Sequence, residues 1–183
     1  MNDERFLSGL ADLDAGGLAR LRRAAGQTLA ESGNVYDVFF RLIAGVPQSA
    51  QRQEIYFLVA TLYALTARGS EQRRVGGGTS VGLALHRLRQ DQLAATGRGP
   101  QDTISLDRRV AALLDADATQ LPFRMRQLVR LVHSQEHQLD WERLLRDLLN
   151  WSHEQRFVQQ RWAREYYIGG FASTLHTQKE AAS

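Results

Sequence analysis

His133-Ser-Gln-Glu136-His137 is the stretch of this chain whose residue types and spacing come nearest to a catalytic arrangement. Two histidines at i and i+4 with a glutamate between them match the inverted zinc-protease spacing. On one helix such a pair can bind one metal, but a catalytic zinc needs a third protein ligand and an open position. The apolar pattern around His133 ends before Asp140 opens the next helix, which places His137 in the connecting loop, out of register with its partner. The chain has no cysteine, so disulfides, thiolate nucleophiles and cysteine-based zinc sites are excluded. Gly76-Gly77-Gly78-Thr79-Ser80 lacks the lysine of a phosphate-cradling P-loop and reads as a flexible loop. No strand-turn-helix elbow presents a serine nucleophile. Asp115 and Asp117 lie at a helix end among alanines and are not expected to form a catalytic pair. The expectation is a chain without a reacting centre, metal or cofactor.

The elements that would position any site are helical. Apolar residues recur at three- and four-residue spacing nearly throughout, and no stretch alternates as a strand does. Helices are expected over Asp3 to Leu10, Gly17 to Ala25, Val35 to Ile43, Ser49 to Ala67 and Ser80 to Ala95. Gly69 is expected to cap the fourth of these. Gly69 to Thr79, with Arg73 and Arg74, is read as the most flexible internal stretch, and Gly97, Gly99 and Pro100 break the chain again. Beyond them, Ser105 is expected to cap a helix that turns Leu106, Val110, Leu113 and Leu114 inward. Pro122 sits near the start of the next, where its missing amide hydrogen costs nothing. Asp140 caps a helix with Trp141, Leu144, Leu145, Leu148 and Leu149 on one stripe. Ser152 followed by Gln155 has the pattern of a capping box for the last. The fold class is all-α, about eight helices in two small bundles joined by a glycine-rich connection. The first bundle covers residues 1–97 and the second 98–168; residues 169–183 form a polar, disordered tail. Phe39, Phe40, Tyr56, Tyr63, Trp141 and Trp162 fall at core positions. The run from Ile55 to Ala67 is too short to span a bilayer, so a soluble cytoplasmic protein without membrane contact is expected.

The charge pattern carries more than the catalytic motifs do. The net charge is +3 and Lys179 is the only lysine, so nearly all the positive charge is arginine; the sequence pI is about 9.7. GC-rich coding would enrich arginine, and so would phosphate binding, for which the planar guanidinium fork is suited. Location therefore decides more than number. Arg126, Arg130 and His133 follow i, i+4, i+7 spacing and share one helical face. Arg108 and Arg109 adjoin the inward Val110 without joining it. Arg20, Arg22 and Arg23 crowd one short helix around Leu18 and Leu21, and Arg52, Arg87 and Arg89 stand alone. Few acids lie at pairing distance from Arg126 and Arg130, or from Arg22 and Arg23. Short cationic faces of this kind bind phosphates by releasing condensed counterions.

Four stretches together resemble a known family. They are Leu18-Ala-Arg20-Leu-Arg22-Arg23 with Phe39-Phe40-Arg41-Leu42; Ser80-Val-Gly82-Leu-Ala-Leu85; Arg108-Arg109 with Leu113-Leu114, leading into Leu121-Pro122 and Arg126-Gln-Leu-Val-Arg130-Leu; and Leu139-Asp140-Trp141 with Leu144-Leu145-Arg146-Asp147-Leu148, Trp151 and Arg161-Trp162-Ala-Arg164-Glu-Tyr166-Tyr167. In order and spacing, from about Leu10 to Tyr167, they resemble CasB, the small subunit of the type I-E CRISPR surveillance complex Cascade. The resemblance implies two helical bundles and no catalysis. It implies two copies arranged head to tail along backbone subunits, in a complex with a guide RNA and a large subunit. It also implies basic surfaces that hold the displaced non-target single-stranded DNA and lock the R-loop. Carried over by position, it assigns strand contact to Arg22, Arg23, Arg108, Arg109, Arg126 and Arg130; Arg52 and Arg156, outside the strongest motifs, are added to them. Around His153 and Glu154, where relatives are more basic, this chain is not. The alternative is a free-standing helical DNA-binding regulator, which would need a recognition helix after the Ser134 to Leu139 connection.

Overall fold

The computed structural model describes residues 2–45, 49–67, 75–96 and 103–169. Among these, the chain forms nine α-helices: α1 (Asn2–Ala11), α2 (Ala15–Ala24), α3 (Tyr36–Leu42), α4 (Ala50–Thr66), α5 (Val81–Thr96), α6 (Ile104–Leu114), α7 (Leu121–Ser134), α8 (Trp141–Leu149) and α9 (Phe157–Ile168). A short 3-10 turn, Gly33–Val35, leads into α3. The all-α class expected from the periodicity is the class observed.

The fold is organised around α4. Ser49 caps it, its hydroxyl accepting from the Arg52 amide at 3.4 Å. Every residue from Tyr56 to Ala64 is buried. A helix that is apolar all round must be enclosed by other elements, and α2, α7 and α8 pack on it. The two threonine hydroxyls of α4 fold back on their own helix, Thr61 to the Leu58 carbonyl at 2.9 Å and Thr66 to that of Tyr63 at 3.0 Å. Leu121, Met125, Leu128 and Val132 form the buried stripe of α7, with Pro122 in its first turn. Asp140 caps α8, accepting from the Arg143 amide at 2.9 Å, and turns Trp141, Leu144, Leu145 and Leu148 inward.

Packing crosses the expected boundary at residue 97. The helix α5 lies chiefly against α9, and α4 against α7 and α8. The buried side chains form one cluster running from Phe6 to Tyr166. Gly82 lets α5 approach α9 closely: a Cβ there would lie 2.6 Å from Glu165 Oε2 and 2.8 Å from the Trp162 carbonyl. Gly69, Arg73, Arg74, the 97–102 connection and most of the expected tail lie outside the described residues.

Several local expectations are corrected. The glycine triplet is docked rather than free. Thr79 donates to the Gln138 carbonyl at 3.0 Å and accepts from Asp140 at 2.9 Å, and the Val75 carbonyl accepts from Trp141 at 2.8 Å. Gly78 lies so close to the Leu139 backbone that a Cβ would be 2.4 Å from its carbonyl carbon. Gly78 is there for close backbone approach, whereas Gly77 serves the other use of glycine, a left-handed φ of 79° in open space. Ser105 lies inside the first turn of α6; the cap position is Thr103, whose hydroxyl donates to Asp107 at 3.0 Å. Ser152 and Gln155 form no capping box, because α9 begins only at Phe157. Its cap position is Arg156, held in the left-handed region at φ 49°. Phe40 is 44% exposed, while Phe39, Tyr56, Tyr63, Trp141 and Trp162 are buried as expected.

Candidate nucleic-acid interface

The junction of α2, α4 and α7 opens into a cleft of about 870 Å³, bounded beyond α7 by the 136–139 connection and Trp141. Arg22 of α2 and Arg126, Arg130 and His133 of α7 line it. Sequence periodicity placed the α7 residues on one face; only the packing of α2 and α7 on α4 brings Arg22 to them.

The guanidiniums differ in what they are free to do. Arg22 reaches over the C-terminal end of α4, its Nε donating to the Ala64 carbonyl at 2.7 Å and an Nη to that of Ala67 at 3.3 Å. It is half-buried and satisfies carbonyls that a helix end leaves without intrahelical partners. Arg126 lays its aliphatic stem on Gly26, at φ 89°, where a Cβ would be 2.7 Å from Arg126 Cδ. Its Nε is buried and meets no hydrogen-bond partner among the described residues. Arg130 is exposed, and so is Arg23 in the last turn of α2, next to the cleft residue Arg22. Arg23, Arg126 and Arg130 form no ion pair among the described residues. Glu136 is the carboxylate that lines the cleft.

Carboxylates elsewhere are taken by other arginines. Asp37 binds Arg20 and, at 3.4 Å, Arg41. The hydrogen bond from Arg20 holds Asp37 below the usual carboxylate range. Arg89 meets Asp107 at 3.1 Å, Arg143 meets Glu165 at 2.6 Å, and Arg161 meets the buried Asp147. Arg20 and Arg89, which the sequence leaves outside the main faces, are thus neutralised.

The remaining expected contacts do not join the cleft. Arg108 and Arg109 are exposed on α6 and form no ion pair among the described residues. Arg156 folds onto the far end of the same helix, donating to the Leu114 carbonyl, with Asp115 Oδ1 3.7 Å away. Like Arg22, it fills a helix C-terminus, and that contact holds its strained backbone in place. Arg52 is exposed at the start of α4, near the Tyr56 phenol that donates to Asp3. The eight expected arginines therefore divide into the cleft (Arg22, Arg126, Arg130), its neighbour Arg23, an α6 group (Arg108, Arg109, Arg156) and the isolated Arg52.

His137 lies beyond the end of α7, with its Nε2 2.9 Å from Asp91 Oδ2. Among the described residues no three histidine or carboxylate side chains gather as metal ligands. No described helix is long and apolar enough to cross a membrane. The helix α8, where a recognition helix would fall, buries five of its residues and exposes Glu142 and Arg146. Sequence reasoning passed over Phe123, 49% exposed in the first turn of α7, with the Arg124 guanidinium 5.8 Å from its ring centroid. The signal was available: Phe123 precedes Arg126 by three residues and Arg130 by seven.

Residues 17–167 match the family of CRISPR-associated protein Cse2. A CRISPR-associated protein Cse2 of Thermus thermophilus is 42% identical over 130 residues, 71% of this chain. The matched stretch spans 65% of that relative's length. The crystal structure of M. ruber CasB shares 32% identity at a TM-score of 0.69, covering 100% of this chain and 99% of that one. A chain of a solved CRISPR RNA-guided surveillance complex, 20% identical, has the same fold at a TM-score of 0.70, covering 100% and 98% of the two chains. With the family matched over most of its length, this chain belongs to the Cse2 family of CRISPR-associated proteins.

Proposed function

We propose that this chain is the non-catalytic small subunit of a type I-E Cascade complex and that its arginine cleft holds the displaced non-target DNA strand. The single observation that carries the reading is the convergence of Arg22, Arg126 and Arg130 on one cleft, with Arg126 and Arg130 free of carboxylate partners among the described residues. Guide–target pairing is nearly isoenergetic with the DNA duplex it replaces, so contacts to strand backbones tip the balance. Guanidiniums that neutralise phosphates of the displaced strand oppose re-annealing without reading sequence. Arg108 and Arg109 offer a second phosphate-binding surface on α6. The partners in this reading are the backbone and large subunits, the guide RNA and a second copy of this chain, in the cytoplasm. Support for the assembly comes from family membership and from a fold shared with a chain of a surveillance complex.

The test replaces Arg23, Arg126 and Arg130 together by glutamine in the assembled complex and leaves Arg22 in place, because it closes α4. The expected result is an R-loop that dissociates faster, with the salt dependence of strand binding flattened by about 0.7 log units per lost single-strand phosphate contact. An R-loop lifetime unchanged across salt concentrations refutes the strand-holding role.

A further inference from the structure

We infer that Phe123 is a base-stacking residue of the strand-holding face: a single strand whose phosphates lie along Arg126 and Arg130 stacks a base on its ring. The inference rests on the strand-holding reading above and adds to it a contact with the bases.

Phe123, Arg126, Arg130 and His133 follow i, i+3, i+7, i+10 spacing and share one side of α7. That side lies away from the buried stripe of Leu121, Met125, Leu128 and Val132. At a rise of about 1.5 Å per residue, the phenyl ring begins roughly 10 Å along the helix axis from Arg130. It extends the cationic row by one turn toward the helix start. A single exposed phenylalanine means nothing by itself; this one stands in line with guanidiniums that have no carboxylate partner among the described residues.

The other exposed aromatic residues among those described are already engaged by rings. Tyr36 and Phe40 meet edge to face at 5.6 Å, Phe157 meets His153 at 4.9 Å, and Tyr167 meets Tyr166 at 4.8 Å. Among the described residues, the Phe123 ring pairs with no other aromatic ring and is met by a cation. The Arg124 guanidinium sits over it at 5.8 Å, and Arg124 Nε is buried without a hydrogen-bond partner among those residues. With one face under Arg124 and about half the residue in solvent, the other face is where a base stacks. Every nucleobase presents a π-face, so the contact suits a strand of any sequence. The occupant is single-stranded nucleic acid rather than a protein, because Arg124 sits over the ring and Arg126 and Arg130 follow it on the same side of α7, a cationic setting that suits phosphates.

The experiment uses the assembled complex with the full-length chain, bound to a target whose displaced strand is a run of thymines, and reads permanganate oxidation of unstacked thymines. Phe123→Ala is expected to raise the reactivity of one or two thymines per copy about 5-fold or more, the lower bound for losing one base–aromatic stack. Phe123→Tyr is expected to retain protection, whereas Phe123→Leu, apolar without a π-face, is not. Arg126→Gln with Arg130→Gln is expected to expose a longer stretch. Unchanged thymine reactivity in an intact Phe123→Ala complex overturns the inference, as does full protection by leucine. Loss of the chain from the complex on Phe123→Ala also overturns it, by showing that the ring covers a protein neighbour. If the arginine variant loosens the strand while Phe123→Ala does not, only stacking fails. If neither has an effect, the strand-holding reading fails with it.

Discussion

Arg22 and Arg130 share the cleft, yet their replacement is expected to act on different properties. Arg22→Met keeps most of the aliphatic stem and removes the donors that close α4. The 2.7 Å bond from Nε to the Ala64 carbonyl is the stronger of the two, and the 3.3 Å bond to Ala67 is long enough to add little. A hydrogen bond from a charged donor is worth about 1.5–3 kcal/mol, and a cation at a helix C-terminus adds roughly 0.3–1 kcal/mol from the dipole. Solvent at this half-buried site weakens both, so the loss is about 2 kcal/mol. For a chain of this length that is a fall in Tm of about 4–8 °C. Arg130→Met, at an exposed position with no ion pair among the described residues, is expected to stay within about 0.5 kcal/mol of the unmodified chain. Arg22→Lys keeps the charge but not the fork and should fall between them. Thermal unfolding followed by circular dichroism separates the three. Should Arg22→Met melt within about a degree of the unmodified protein, the helix-closing role is wrong and Arg22 is simply another surface cation.

Two further outcomes rest on contacts away from the cleft. Gly82→Ala drives a methyl group to 2.6 Å from Glu165 Oε2 and 2.8 Å from the Trp162 carbonyl; denaturant unfolding should show a loss of about 1–3 kcal/mol, and no loss would mean that α5 and α9 can part freely at this point. Burial pushes the Asp107 carboxyl up, but hydrogen bonds from Tyr166, Thr103 and Arg89 outweigh burial and hold it below its usual range. Because its folded value is the lower one, Asp107 stabilises the fold fully above about pH 4 and loses that contribution as pH falls through the folded value. Asp107→Asn should therefore be less stable than the unmodified chain at neutral pH, with the gap closing in acid; a gap that stays constant with pH would exclude this carboxylate as the source.

Much of the architecture can be read from residue spacing alone. The all-α class follows from apolar periodicity, and the start of α8 follows from Asp140, because a cap is a local hydrogen bond between near neighbours. The α7 arginine face is legible for the same reason: i, i+4, i+7 spacing maps directly onto one side of a helix. The start of α9 was not legible. Ser152 and Gln155 have the right types and spacing, but Arg156 reaches the end of α6, a partner distant in sequence, and the helix begins after it. The Gly76 to Gly78 triplet reads as flexible from sequence because the partners of its flanking residues Val75 and Thr79, Gln138 to Trp141, lie a long way down the chain. Composition cannot distinguish a glycine that frees the backbone from one that lets another backbone come near.

The sequence by itself determined that this protein is helical, lacks thiol chemistry, carries its positive charge on arginine and resembles CasB, since each of these depends on residue identity or short-range order. Only the tertiary structure decided which arginines share a surface and which are occupied. Arg22 and Arg126 line one cleft because α2 and α7 both pack on the buried α4, while Arg22 and Arg156 turn out to close helix ends. Those outcomes depend on which carbonyls and carboxylates the fold brings within reach of a guanidinium, and that distance is set by packing between segments far apart in the chain.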